Sequence, residues 1–367
     1  MNTESHQSEP RLRDTLREDF FQGNHWNTFR KEFRSLKEFY LDEEKKKRLE
    51  TMEPLKRWLY LAGWLFKSLL MRLTPFRRVI LVLGIFLLFW SPIIINSKNI
   101  KMELTDFHLF GSAAILLVLM LELKDKLLAR DELVAGKRVQ QALAPEQSPA
   151  VPGWLLWIYS RPANDVGGDL IDFLRQSENR FGIALADVSG KGLQAALIMA
   201  KLQATLKALA PDYDSIGKLI TKLNAIVHRD GLPNSFASLV YAEISSTSGV
   251  LRFVNAGHLP PIVLTASGLQ EMQKGEPALG LMGLTAYAER QVELQSGDVF
   301  IVYSDGLTEA SNERGEFFGS ERLLKRLPLL RDRAPEEIGK ALLGEIDFFV
   351  NDAPPNDDIS MVILKRL

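Results

Sequence analysis

The 367-residue chain contains no cysteine. That absence excludes disulfides and every thiol-based reaction, cysteine-dependent phosphate chemistry included. It leaves the compartment open, because cysteine-free chains suit reducing and oxidising surroundings alike. Histidine is also scarce. His6, His25, His108 and His228 show no metal-ligand spacing, and His258 lies in an Asn-Ala-Gly-His turn whose plain reading is structural. Net charge is close to nil, 45 Lys and Arg against 46 Asp and Glu. No basic-aromatic tract marks the C-terminal part, so no nucleic-acid partner is expected. Gly190-Lys191-Gly192 lacks the longer loop and the Ser or Thr of a Walker motif. Gly167-Gly168-Asp169 continues into Leu-Ile rather than Glu-Phe, which argues against a GGDEF-type cyclase. No internal repeat is present.

What is there is unevenly placed. Residues 1–78 hold 17 Lys and Arg against 12 Asp and Glu. Within them Phe20, Phe21, Trp26, Phe29, Phe33, Leu36 and Tyr40 recur at helix-like intervals, which predicts short amphipathic helices over residues 1–55. Trp58 to Leu73, aromatic-rich, preceded by Arg57 and punctuated by Lys67 and Arg72, suits a membrane-interface helix or a packed soluble one. Two uncharged apolar runs follow, Val79 to Ile95 and Phe107 to Leu121. Their lengths predict a transmembrane hairpin with spans at about 79–97 and 107–121. Arg72, Arg77 and Arg78 precede it and Lys124, Lys126 and Arg130 follow it, so the positive-inside rule places both termini in the cytoplasm, at the inner membrane. Residues 122–148 read as a helical connector, with a homodimer through that helix as one expectation, and Pro145, Pro149 and Pro152 end it.

The remainder, 149–367, reads as an α+β domain. Asp169 to Leu174 and Phe181 to Val188 are strand-like, joined by a turn over residues 176–179. Gly192 to Leu209 and Ser215 to His228 are helical, Phe236 to Thr265 is a strand meander, and Val299 to Tyr303 is a short buried strand. Two further helices precede a closing strand at Ile359 to Lys365.

Four motifs carry the chemistry: Val166-Gly167-Gly168-Asp169, Asp187-Val188-Ser189-Gly190-Lys191-Gly192, Ser304-Asp305-Gly306 and Asp357-Asp358-Ile359-Ser360. Each sets a carboxylate at a strand edge or beside a glycine turn. If the first hairpin turns at Glu178, facing positions sum to 356 and Asp169 opposes Asp187. Opposed carboxylates on adjacent strands stand about 4.5–5.5 Å apart at Cβ and repel unless a proton or cation intervenes. Gathered, the carboxylates make a hard oxygen site of the kind Mg²⁺ or Mn²⁺ prefers.

The segments VQQALAP, RPANDVGGDLIDF, GIALADVSGKG, AALIMA, FVNAGHLPPIVL, GDVFIVYSDGLTEASN and NDDISMVIL, in that order, resemble the SpoIIE/RsbU-like branch of the PPM-type metal-dependent serine/threonine phosphatases. The resemblance covers the C-terminal three-fifths, from about Val139. It implies an αββα two-sheet sandwich with two Mn²⁺ or Mg²⁺ ions. Matched motif by motif, Asp169, Asp187, Asp305 and Asp357 are the implied metal ligands and catalytic residues, with the Val188 carbonyl as a further ligand. Asp358, Lys191 and Gly168 are implied with less weight. Many family members carry His where Lys191 stands, so the acid that protonates the leaving group is left open. The implied activity is hydrolysis of phosphoserine or phosphothreonine by a metal-activated hydroxide. The implied substrate is a regulatory protein in sigma-factor control, a STAS-type anti-anti-sigma factor. The alternatives are an inactive membrane-bound scaffold of the same fold and a metal-dependent phosphodiesterase.

Overall fold

The computed structural model describes residues 45, 48–49, 52–90, 94–97, 100–103, 107–232 and 235–367. The amphipathic helices expected over 1–55 lie almost wholly outside these. The chain divides into two compact units, Met1–Lys126 and Leu127–Leu367.

In the first unit, α1 (Pro54–Arg72) and α2 (Pro75–Phe89) each begin with proline, whose fixed φ suits a first helical turn. A short antiparallel pair follows, β1 (Ile94–Ser97) with β2 (Ile100–Glu103). Then comes α3 (His108–Leu143), a 36-residue helix that continues into the second unit. Arg77 clasps Glu122 and Asp125, each at 2.7 Å, and Gly84 and Gly111 let α2 and α3 meet backbone to backbone.

The transmembrane hairpin expected from the sequence is not supported. Among the described residues no helix is long and apolar enough to cross a membrane. The first run is broken: α2 has 15 residues, about 22 Å of rise against a hydrocarbon core of about 30 Å. Pro92 lacks an N–H and disfavours helix at the residue before it, and the chain beyond pairs as strands instead. The second run is the start of α3, whose uncharged stretch gives way at Glu122, Lys124 and Asp125.

The second unit is a sandwich. One sheet has the order β10-β7-β6-β5-β4, the other β3-β12-β11-β8-β9, and all neighbouring strands are antiparallel. The first comprises β4 (Asp169–Arg175), β5 (Arg180–Val188), β6 (Ala237–Ser245), β7 (Val250–Ala256) and β10 (Arg290–Glu293). The second comprises β3 (Trp154–Arg161), β8 (Ile262–Thr265), β9 (Gly268–Glu271), β11 (Val299–Tyr303) and β12 (Ile359–Arg366). Between them lies an apolar layer with Ile171, Leu185, Val240, Phe253, Phe300 and Val362. The Phe253 and Phe300 rings meet across the layer at 5.6 Å, a contact worth about 0.5–1.5 kcal/mol beyond burial.

Helices cover the outer faces. On the first sheet lie α4 (Leu193–Leu209) and α5 (Ile216–Asp230), which contribute Leu202, Leu206, Leu219 and Leu223 to a second core. On the other lie α6 (Ser320–Arg326) and α7 (Pro335–Val350), with Leu323, Ile338, Leu342 and Ile346 packed inward. The expected αββα layering is therefore observed.

Candidate metal centre

The site grows from strand register. The backbone amides of Gln176 and Ser177 both donate to the Arg180 carbonyl, which tightens the hairpin, and Asp169 falls opposite Asp187 as the sum rule expected. On the next strand Ser238 falls opposite Asp187. Asp169, Asp187 and Ser238 therefore form one row across three strands. Period-two alternation sets this row on the face of Ile171, Leu185 and Val240, at one end of the inter-sheet core.

The facing sheet ends in serines. Ser160 pairs with Ser360, and the Ser304 amide donates to the Ser360 carbonyl at 2.9 Å. Ser304 and Ser360 are fully buried, on the face of Val302 and Val362. Asp305 follows Ser304 into a single 3₁₀ turn, and Asp357 and Asp358 precede β12. All five candidate aspartates thus gather at one end of the sandwich, two from one sheet and three from the other.

Asp358 fastens the halves. Its Oδ1 accepts from the Ala163 amide at 2.7 Å, and its Oδ2 accepts from the Gly168 and Asp169 amides at 2.6 and 3.3 Å. The glycines make this approach possible. A Cβ on Gly167 would stand 2.6 Å from Asp358 Oδ2, and one on Gly168 would stand 3.2 Å from the Val188 carbonyl oxygen. A Cβ on Gly306 would stand 2.1 Å from the Asp358 carbonyl oxygen, where no side chain is available to yield. Gly306→Ala is expected to cost about 1–3 kcal/mol through overpacking. Because the clash lies between Asp305 and Asp358, the variant should lose divalent-ion binding in a calorimetric titration even where it still folds.

Electrostatics sharpen the cluster. Burial raises the Asp169 carboxyl well above the ordinary range, with the charges of Asp187 and Asp358 adding to it and the hydroxyls of Ser360 and Ser304 opposing. Burial, then the charges of Asp305, Asp357, Asp358 and Glu309, pushes Asp187 up to about 6. Asp305 rises for the same first cause, with Asp357 next. At the mouth, Lys191 Nζ lies 3.4 Å from Asp357 Oδ2 and donates to the Asn356 carbonyl at 2.8 Å.

Among the described residues no three acidic or histidine side chains are drawn together as a finished metal-ligand cluster. The donor chemistry nonetheless fits a hard cation. Asp169 Oδ2 is buried with no hydrogen-bond partner among the described residues, and the carboxylates mutually favour proton or cation uptake. A proton and a cation compete for the same oxygens. A carboxyl that holds its proton up to about pH 6 should therefore bind Mn²⁺ less well as pH falls through that value, which titration calorimetry at pH 7.5 and 5.5 checks.

Three nearby residues were not singled out from the sequence. Gln140 on α3 donates to the Gly167 carbonyl at 2.8 Å and accepts from the Gly167 amide at 3.1 Å. Glu309, whose carboxyl is raised by burial and by the charges of Asp305 and Asp357, lies one helical turn beyond Asp305; that spacing was the available signal. Ser238 had no local signal, because its place follows from β5–β6 pairing.

The family profile described as Stage II sporulation protein E (SpoIIE) matches residues 177–367, more than half of the chain. The chain belongs to the SpoIIE family. It is 28% identical over 268 residues to protein IcfG of Synechocystis sp., covering 65% of this chain and 42% of that protein. It is 25% identical over 239 residues to the phosphoserine phosphatase RsbU of Bacillus subtilis, covering 65% of this chain and 70% of RsbU. It spans 39% of the phosphoserine phosphatase RsbP of the same organism. Among solved structures, the SiaA-PP2C domain of Pseudomonas aeruginosa superposes with a TM-score of 0.56 at 21% identity, over 66% of this chain and 98% of that one. The RsbU and RsbW domains of Rv1364c from Mycobacterium tuberculosis give a TM-score of 0.51 at 23% identity, over 60% and 62%. These two show that the sandwich is the PP2C-like fold. In this SpoIIE-family domain the matched region takes in Asp187, Asp305, Asp357 and Asp358, while Asp169 lies just before it.

Proposed function

We propose that the chain is a divalent-metal-dependent protein phosphatase that hydrolyses phosphoserine or phosphothreonine on a regulatory protein of the STAS type. The observation that carries the reading is that carboxylates from both sheets lie near enough, at one end of the sandwich, to raise one another's pKa, where Asp169 Oδ2 is buried without a hydrogen-bond partner among the described residues. The phosphoserine phosphatase activity of the relatives RsbU and RsbP supports the substrate class. Asp169, Asp187, Asp305 and Asp357 would hold two Mn²⁺ or Mg²⁺ ions, with the Val188 carbonyl as a further donor. When bound, the ions supply Lewis acidity towards water and the phosphoryl oxygens. Lys191, at the exposed rim, orients a phosphate oxygen as a point charge. Asp358 and the Ser304–Ser360 bonds keep the two carboxylate-bearing ends in register.

The same Lys191–Asp357 contact is what favours the rival reading, an inactive scaffold in which an ammonium takes a cation's place. Phosphate release from a phosphoserine STAS protein, beside a phosphodiester, separates the readings. Release from the first alone is expected; no release from either favours the scaffold, and cleavage of the diester alone favours a phosphodiesterase.

Association with a membrane, as distinct from spanning one, belongs to the proposal, because Trp58, Tyr60, Phe66, Phe76 and Phe89 are exposed on α1 and α2. Flotation with liposomes tests it, and protein left at the bottom of the gradient contradicts it. Pairing of two copies along α3 is likewise proposed on the exposed Leu127, Leu128 and Val139. A monomeric mass and unchanged activity with and without residues 122–144 would contradict that.

A further inference from the structure

His258 stands where the chain passes from one sheet to the other, between β7 and β8. Its turn is rigid. The His258 amide donates to Asn255 Oδ1 at 2.8 Å, and Asn255 Nδ2 donates back to the His258 carbonyl at 3.1 Å. Gly257 holds φ at +70°, and a Cβ there would meet the Ala278 backbone at 2.5 Å. The imidazole is thereby aimed into the protein and is buried.

Both ring nitrogens are used. Nδ1 lies 2.7 Å from Ser238 Oγ and Nε2 lies 3.1 Å from the Tyr303 carbonyl oxygen. A carbonyl only accepts, so Nε2 carries the proton, Nδ1 accepts, and the Ser238 hydroxyl donates. Burial favours this neutral form, lowering the ring's pKa to about 4. The two partners sit on different sheets. Ser238 is the cross-strand neighbour of Asp187, and Tyr303 ends the strand that delivers Ser304 and Asp305.

We propose that His258 is a positioning residue: one imidazole ties the Asp187 strand of the first sheet to the Asp305 strand of the second, and so sets the spacing of the carboxylates that would hold a divalent ion. An ordinary buried turn histidine would need neither bond to reach a neighbour of a carboxylate. The inference rests on the metal reading above, and it concerns how the ligands are spaced rather than which they are.

The test is Mn²⁺ affinity of the full chain, by electron paramagnetic resonance of free Mn²⁺, with the melting temperature of each metal-free variant beside it. His258→Ala should weaken Mn²⁺ binding by about tenfold or more, the scale of residues that orient ligands, and His258→Gln should stay within about threefold of the parent. The glutamine amide carries one acceptor and one donor, the kinds that Ser238 and the Tyr303 carbonyl require. Ser238→Ala removes only one bond and should fall between. Parent-like affinity in His258→Ala overturns the inference, as does His258→Gln binding as weakly as His258→Ala. If His258→Ala fails to fold, parent-like affinity in Ser238→Ala overturns it instead. A parent chain that binds no Mn²⁺ overturns the metal reading and this inference with it, whereas a binding parent with unaffected variants overturns this inference alone.

Discussion

Asp187→Asn is expected to abolish phosphatase activity, by about a thousandfold or more, while making the metal-free protein more stable. The two effects share one cause. Asp187 lies among Asp169, Asp305, Asp357 and Asp358, and its carboxyl is raised from 3.8 to about 6. A raised carboxyl means that the folded state prefers the proton. Its favourable contribution is present at low pH and is lost as pH rises through about 6. Above that the ionised group burdens the fold. Asparagine removes the burden, by about 1–2 kcal/mol at pH 7 once solvent screening at this partly exposed position is allowed for. The metal-free variant should therefore melt a few degrees above the parent at pH 7, and the difference should vanish near pH 4. With Mn²⁺ present the order should reverse, because only the parent gains stability from the ion. Melting curves at two pH values, with and without Mn²⁺, check all of this. A destabilised metal-free Asp187→Asn would contradict the electrostatic account.

The adjacent pair Asp357 and Asp358 should separate cleanly. Asp358 is buried and accepts three backbone N–H bonds from the segment that carries Asp169. An asparagine side chain in its place would turn an NH₂ group against backbone donors, so Asp358→Asn should cost about 2–4 kcal/mol and lower the melting temperature sharply. The Asp357 side chain is 42% exposed, in contact with Lys191, and among the described residues accepts a hydrogen bond from its neighbour's amide alone. Asp357→Asn should shift stability by less than about 1 kcal/mol yet weaken Mn²⁺ binding and turnover together. Urea unfolding beside calorimetric Mn²⁺ titration reads both. Equal destabilisation by the two substitutions would overturn the division of labour.

What the sequence revealed follows from what is local. The β4–β5 register was legible because a short turn sets it and alternation then fixes which residues share a face. Helices α4 and α5 were legible from composition and period, and Val299–Tyr303 from an unbroken apolar run. Strands β9 and β10 were not, since Gly268–Glu271 and Arg290–Glu293 are short, polar edge strands without a clear apolar alternation. Strand β3 has no such local mark although Trp154, Leu156, Trp157 and Ile158 are buried, because apolar residues are not alternated along it. The hairpin finds no support because α2 ends at Phe89 and α3 turns charged from Glu122, although mean apolarity runs on through both sequence runs.

At the site, the aspartates stood out because each adjoins a glycine or a strand edge. The groups that hold them did not. Asp358 meets Gly168 across 190 residues of sequence, and His258 reaches Tyr303 across 45. Such contacts are consequences of the sandwich and have no local signature.

The most direct test of the account is phosphate release by the full chain from a phosphoserine-bearing STAS protein, in Mn²⁺ and after EDTA. The account predicts turnover in Mn²⁺, none after chelation, and recovery when Mn²⁺ is restored. Turnover that persists unchanged in excess EDTA would contradict it, as would a folded, Mn²⁺-loaded chain that releases no phosphate.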